Sequence, residues 1–220
     1  TGTSNGAGND LIALRGSIAT KFHWPVNSLP QTRTMCSISR YSGGDMNQIL
    51  NGIVDGTGFR LIHGHDMGKR GLVYQNDWKT SKISKGVLTN WLVLCGTSAA
   101  GMPDDIIMDQ TGIGVSNTQS IFYGQLNINL GVLAQRSDFE VHSVYIWNAG
   151  LSNVQMKHVT SALRAQIGGQ PDIADNLVGP AVAPMTPAPT AYEQVCNADT
   201  SDCGKGHRVC DPGYHWQATV

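Results

Sequence analysis

The sequence predicts an all-β protein with one short C-terminal helix, and three observations carry that expectation. Helical periodicity of apolar residues occurs only at 152–163, the 26 glycines among many Ser, Thr and Asn mark frequent turns, and the longest apolar runs, such as WLVLC at 91–95, have strand length. Runs that short cannot cross a bilayer as helices. At 220 residues the chain is long enough for one domain of ordinary size, with a core that needs no covalent staples, and a short segment beyond it.

The most informative stretch is 138–163, DFEVHSVYIWNAGLSNVQMKHVTSAL. Strict alternation puts Phe139, Val141, Tyr145 and Trp147 on one face and Val144 and Ile146 on the other, which predicts a central strand covered on both sides. Asn148 and Gly150 break the strand. Ser152 and Gln155 then stand at capping-box spacing, Leu151 and Met156 at hydrophobic-staple spacing, and Met156, Val159 and Leu163 extend one apolar face of a helix.

Strand, turn and WNAGLSNVQMKHV together resemble the closing segment of laminin-G-like and pentraxin-like domains of the concanavalin A-like superfamily. Gln155 stands where the family usually has an acidic residue. Residues 90–115, NWLVLCGTSAAGMPDDIIMDQTGIGV, look like the family's central hairpin, and 17–43, SIATKFHWPVNSLPQTRTMCSISRYSG, like its opening strands. The resemblance implies a two-layer antiparallel β-sandwich, a concanavalin A-like jelly roll, over 1–167. A connector at 168–194 follows, in which five prolines forbid a helix, and then a cysteine-rich segment at 195–220. Within that segment VCDPGYHW at 209–216 resembles the Cys-x-x-Gly-Tyr turn of EGF-like modules, with no closing cysteine before Val220.

Cys196, Cys203 and Cys210 recur in a stretch too polar to bury a core, so disulfide stapling in an oxidising, extracellular compartment is expected; a zinc knuckle with His207 or His215 is the alternative. Cys36 and Cys95 fall in two expected strands, as buried free thiols in the preferred reading or else as a bridge. No Asn-x-Ser/Thr acceptor occurs, which leaves Thr186 and Thr190 in the connector as sites for O-linked glycans. Charged residues make up 14% of the chain against about 25% in average domains. With 15 basic and 16 acidic residues and a net charge of −1, nucleic acid and anionic membrane are poor partners.

GTSAAGMP at 96–103 resembles the Gly-Thr-Ser turn of subtilisin-like proteases and HGHD at 63–66 their histidine motif. Pro103, Asp104 and Asp105 nonetheless follow Ser98 where those enzymes have a long helix. Glu140 and Glu193 are the only glutamates, so no paired carboxylates for glycoside hydrolysis lie along one strand. A non-enzymatic domain without catalytic residues is therefore expected. Asp104, Asp105 and Asp109, with Asp138 as a further donor, can supply oxygens to calcium, as loops do in pentraxins; a solvated hairpin turn is the preferred reading. His63, His65 and Asp66 suit a transition metal if they converge, but Gly64 and Gly68 favour a loop with exposed histidines. Sugar recognition assigns His65, Asp66, Asn76 and Asp77 to hydroxyls and Trp78 to a stacking plane. Two roles fit these readings. One is an extracellular lectin-like or adhesion module that binds glycan or protein. The other is a structural subunit of an extracellular filament or matrix, such as an algal flagellar hair, packed against copies of itself or cysteine-rich repeats.

Overall fold

The computed structural model describes residues 5–53, 59–99, 105–116, 118–131 and 133–168. The expected connector beyond Gly168 and the cysteine-rich segment, with Cys196, Cys203 and Cys210, lie outside them. The described strands are β1 (Leu14–Gly16), β2 (Phe22–His23), β3 (Thr34–Tyr41), β4 (Leu50–Ile53), β5 (Phe59–Asp66), β6 (Lys69–Gln75), β7 (Leu92–Thr97), β8 (Ile106–Met108), β9 (Thr111–Gly112), β10 (Gln125–Ile128) and β11 (Phe139–Trp147), followed by helix α1 (Asn153–Ile167). They form two antiparallel sheets, one in the order β1-β11-β3-β7-β8-β9 and the other β2-β10-β4-β5-β6. The all-β sandwich with one C-terminal helix is the expected fold class.

The first sheet is buried on both faces, which is why β7 reads as an unbroken apolar run. Toward the second sheet it presents Met35, Tyr41, Phe139, Val141, Val144 and Ile146, which meet Leu50, Leu61, Leu126 and Ile128. Alongside, Leu92, Leu94, Ile106 and Met108 pack with Val73. Its other face, with Cys36, Ile38, Val93, Cys95 and Ile107, is covered by Met156, Leu163 and Ile167 of α1.

The alternation expected along β11 is corrected by one extra residue. The register with β3 shifts between Val141 and Ser143, a bulge at His142 that returns Val144 and Ile146 to the face of Phe139 and Val141. Tyr145 and Trp147 thereby turn to the helix side, where they pack against its cluster and stack on each other at 6.2 Å. The strand is covered on both sides as expected, but by different residues.

Helix α1 starts as its sequence dictates. The Ser152 hydroxyl accepts from Gln155 N, and the Gln155 side chain accepts from Ser152 N at 2.8 Å, closing the capping box. It runs to Ile167, four residues further than the apolar periodicity indicated, and stops at Gly168 in the left-handed conformation with φ 62°. Its C-terminal carbonyls are taken up by the N-terminal segment: Gly8 N and Asn9 N donate to Ile167 O at 2.9 and 3.1 Å. Arg164 reaches from the helix to Asp109 in the turn after β8, with Nε to Oδ1 at 2.8 Å.

The preferred reading of Cys36 and Cys95 as free thiols is overturned. They are directly opposite one another in β3 and β7, with Cα atoms 4.0 Å apart, and form a disulfide beneath α1. The bridge closes a long loop of the unfolded chain, with a sequence separation of 59. A Cys36→Ala/Cys95→Ala double variant is expected to lose about 3–4 kcal/mol of unfolding free energy. Equilibrium denaturant unfolding with and without reductant measures this, and equal midpoints for wild type and variant would contradict it.

Candidate functional site

One end of the sandwich carries an open groove of about 660 Å³ lined by Asn27, Pro30, Gln31, Thr32, Tyr123 and Asn148. That volume lies within the range of small-molecule sites, about 300–1,000 Å³. Three segments meet there: the loop from β2 to β3, the approach to β10, and the turn after β11. The pairing of Trp147 with Thr34 at the end of the β3–β11 ladder sets Asn148 beside the start of β3. The Thr34 hydroxyl fixes that turn, donating to Ala149 O at 3.0 Å and accepting from Leu151 N at 2.8 Å.

Below the groove the backbone is tied down. Leu29 and Gly124 exchange two backbone hydrogen bonds at 2.9 and 3.1 Å, and Ser28 Oγ accepts from Leu126 N at 2.9 Å. Arg33, almost wholly buried, lies over the Phe122 ring at 4.0 Å and donates through Nη1 to Pro30 O at 3.0 Å and Phe122 O at 2.9 Å. It clamps two of the three segments from inside. Burial lowers its pKa to about 10, and among the described residues no ion pair offsets that cost.

Above this scaffold the lining side chains are uncommitted. Asn27, Gln31, Tyr123 and Asn148 are exposed and Thr32 is half-buried; among the described residues none of their side-chain polar atoms has a hydrogen-bond partner. Among the described residues no charged side chain lines the groove. Tyr123 presents an aromatic ring at 58% exposure. An exposed aromatic among free amides and hydroxyls on a fixed backbone suits a ligand with an apolar face and hydroxyl edges. Reasoning from sequence missed this group. Asn27 and Asn148 mark turns, but nothing local to either shows that the two turns meet.

The residues expected for sugar recognition do not converge. His65 and Asp66 end β5 at the two-residue turn Met67–Gly68, with φ 51° and 66°, whereas Asn76, Asp77 and Trp78 follow the far end of β6. The hairpin separates them by roughly 20 Å at about 3.3 Å per residue. The expected loop at HGHD is a strand, since Gly64 pairs within the β5–β6 ladder, and His63 and His65 are fully buried instead of exposed. Trp78 is half-buried, with the Lys82 ammonium over its ring at 4.8 Å and Tyr74 against it in a T-shaped contact at 5.4 Å. Asp77 accepts from Trp78 N at 2.8 Å and from the Ser116 hydroxyl at 3.4 Å.

The carboxylates proposed for calcium are placed apart as well. Asp105 and Asp109 bracket β8, roughly 13 Å from end to end. Asp109 is bound to Arg164, and Asp105 lies within electrostatic reach of the buried Lys79 ammonium, so a cation of the protein already attends each. Asp138 accepts from Asp45 N at 3.3 Å, and Asp104 lies outside the described residues. Among the described residues no group of three or more His, Cys, Asp or Glu can hold a metal ion. Ser98 of the Gly-Thr-Ser turn is structural. Its hydroxyl accepts from Arg33 N at 2.9 Å and donates to Gln31 O at 3.3 Å, which supports the floor of the groove.

No protein-family model matches the chain, and no curated protein matches it. Solved structures are similar to it in fold. Trypanosoma rangeli sialidase in complex with sialic acid is 13% identical with a TM-score of 0.49, over 75% of this chain and 30% of that one. A further structure of Trypanosoma rangeli sialidase is 15% identical with a TM-score of 0.46, over 72% of this chain and 28% of that one. The chain thus spans less than a third of the length of these proteins, and the likeness is one of fold alone. The expectation of a non-enzymatic domain is corrected to this extent: the solved structures similar to the chain are of sialidases, which are enzymes.

Between the sheets, beside the apolar clusters, lies a buried polar row. His65 packs edge-on against Tyr41 at 4.6 Å, with Nδ1 3.5 Å from the Ser39 hydroxyl, and its cross-strand partner is the buried Arg70. Burial holds both imidazoles neutral. It lowers the His63 pKa to about 4, with a smaller contribution from the Arg33 charge, and that of His65 well below 6.5, assisted by Arg70 and His63. A histidine with a lowered native pKa contributes stability that is complete above about pH 6.5 and is lost as pH falls toward the native value. Asp66 acts in the opposite sense, because burial raises its pKa. Unfolding free energy is therefore expected to drop between pH 6.5 and pH 4. His63→Gln should flatten the drop by about 3 kcal/mol. Denaturant titrations at a series of pH values read this out, and parallel profiles for the two proteins would count against a buried neutral His63.

Proposed function

We propose that this domain is an extracellular recognition module that binds carbohydrate in the groove between Asn27, Gln31, Thr32, Tyr123 and Asn148. The observation that carries the reading is the contrast within one rim. Arg33, Ser28 and Ser98 below the groove are committed to holding backbone, whereas among the described residues no polar side chain lining it has a hydrogen-bond partner. Free amides cost nothing on a surface, but four uncommitted polar side chains around an exposed Tyr on a braced backbone match the few polar groups of a ligand site. The Tyr123 ring takes the CH face of a sugar while amides and hydroxyls take its edges. The resemblance of 138–163 to the closing segment of laminin-G-like domains agrees with a lectin-like or adhesive role. The buried disulfide is compatible with secretion, and no helix among the described residues is long and apolar enough to cross a membrane.

Binding of the 220-residue chain to immobilised glycans, followed by calorimetry on the best saccharide, tests the reading. Saccharide binding is expected, weakened about tenfold or more by Tyr123→Ala, which corresponds to about 1.4 kcal/mol. Asn148→Ala should cost about three- to tenfold for one lost neutral hydrogen bond. A folded protein that binds no saccharide and instead self-associates with rising concentration would favour the assembly-subunit role.

A further inference from the structure

We infer that the groove selects uncharged saccharides and rejects acidic ones; the inference rests on the carbohydrate reading above. Its basis is the charge and hydrogen-bond character of the lining. Asn27, Gln31 and Asn148 each offer one carbonyl acceptor and one NH₂ donor, and Thr32 and Tyr123 each offer a hydroxyl that donates and accepts. A sugar hydroxyl also donates and accepts, so neighbouring hydroxyls satisfy amide oxygens and amide nitrogens together. A carboxylate or sulfate accepts only. It would leave the amide oxygens unmatched and face them with like partial charge.

No side-chain cation among the described residues reaches the lining to pair with an anion. Among the described residues the lining holds no Lys, Arg or His. The nearest guanidinium in sequence, Arg33, is 1% exposed and turned inward, its Nη1 given to the carbonyls of Pro30 and Phe122 behind the lining. It cannot form the bidentate, charge-assisted pair by which arginine usually binds a carboxylate. An anion in the groove would be partly desolvated with neutral donors only and no cationic partner, which is less favourable than its hydration in bulk water.

The experiment compares neutral oligosaccharides with matched acidic ones, a sialylated and a sulfated derivative of the same core, by calorimetry on the full chain at low and high salt. A neutral ligand is expected to bind with little dependence on salt, and each acidic counterpart at least tenfold more weakly. Asn148→Arg, which sets a guanidinium at the exposed rim, should narrow or invert that preference and make acidic-ligand binding salt-sensitive. Thermal melts confirm that this surface variant is folded. Acidic ligands that bind the wild type as tightly as neutral ones, and lose affinity on Tyr123→Ala, would overturn the selectivity while leaving the groove a carbohydrate site. Binding of neither class would remove the carbohydrate reading and this inference with it.

Discussion

The antiparallel pairing of β3 with β11 is the constraint on which the rest of the structure depends. It spans Thr34 to Tyr41 on one strand and Phe139 to Trp147 on the other, absorbs the bulge at His142, and feeds both cores at once. From its last rung, Trp147 opposite Thr34, the chain turns through Asn148 into the capped start of α1. The same rung thus anchors the helix and delivers one wall of the groove. A slip of one residue would exchange the inner and outer faces of β11 and separate that wall from Gln31 and Thr32.

What the sequence made legible was local. The capping box at Ser152 and Gln155 needs only neighbours three residues apart, and the doubly buried β7 declares itself in an unbroken apolar run. The features that escaped are those decided by partners far along the chain. Nothing in HSV at 142–144 announces a bulge, because the extra residue exists only relative to β3. The Gly-His alternation at 63–66 reads as an exposed loop until β4 and β6 flank it and bury both imidazoles. Cys36 and Cys95 become a bridge only through the β3–β7 register, and the groove exists only where three distant loops meet.

Buried charge is used sparingly and always to tie loops or elements down. Arg33 spans the loops on either side of the groove floor, Arg164 secures α1 to the β8–β9 turn through Asp109, and Arg40 holds Glu140 at 2.8 Å across the β3–β11 pair. Desolvating such groups is costly, and each is matched in part, to carbonyls or a carboxylate, while among the described residues Nε and Nη2 of Arg33 and Nη1 of Arg164 stay without a hydrogen bond. The result is a braced backbone below a rim whose lining side chains are uncommitted. That division of labour, committed charge inside and uncommitted amides outside, is what makes the rim readable as a site.

The hydrogen bonds from Gly8 and Asn9 to Ile167 place the first described segment beside the last turn of α1. Tension applied through flanking polypeptide therefore pulls both from one corner, and it loads these few bonds one after another instead of shearing a whole ladder at once. The helix and the N-terminal segment would peel first. Cys36 and Cys95, 59 positions apart, would still hold the span between them unstretched, so under mechanical load the body has a yielding hem and a locked centre.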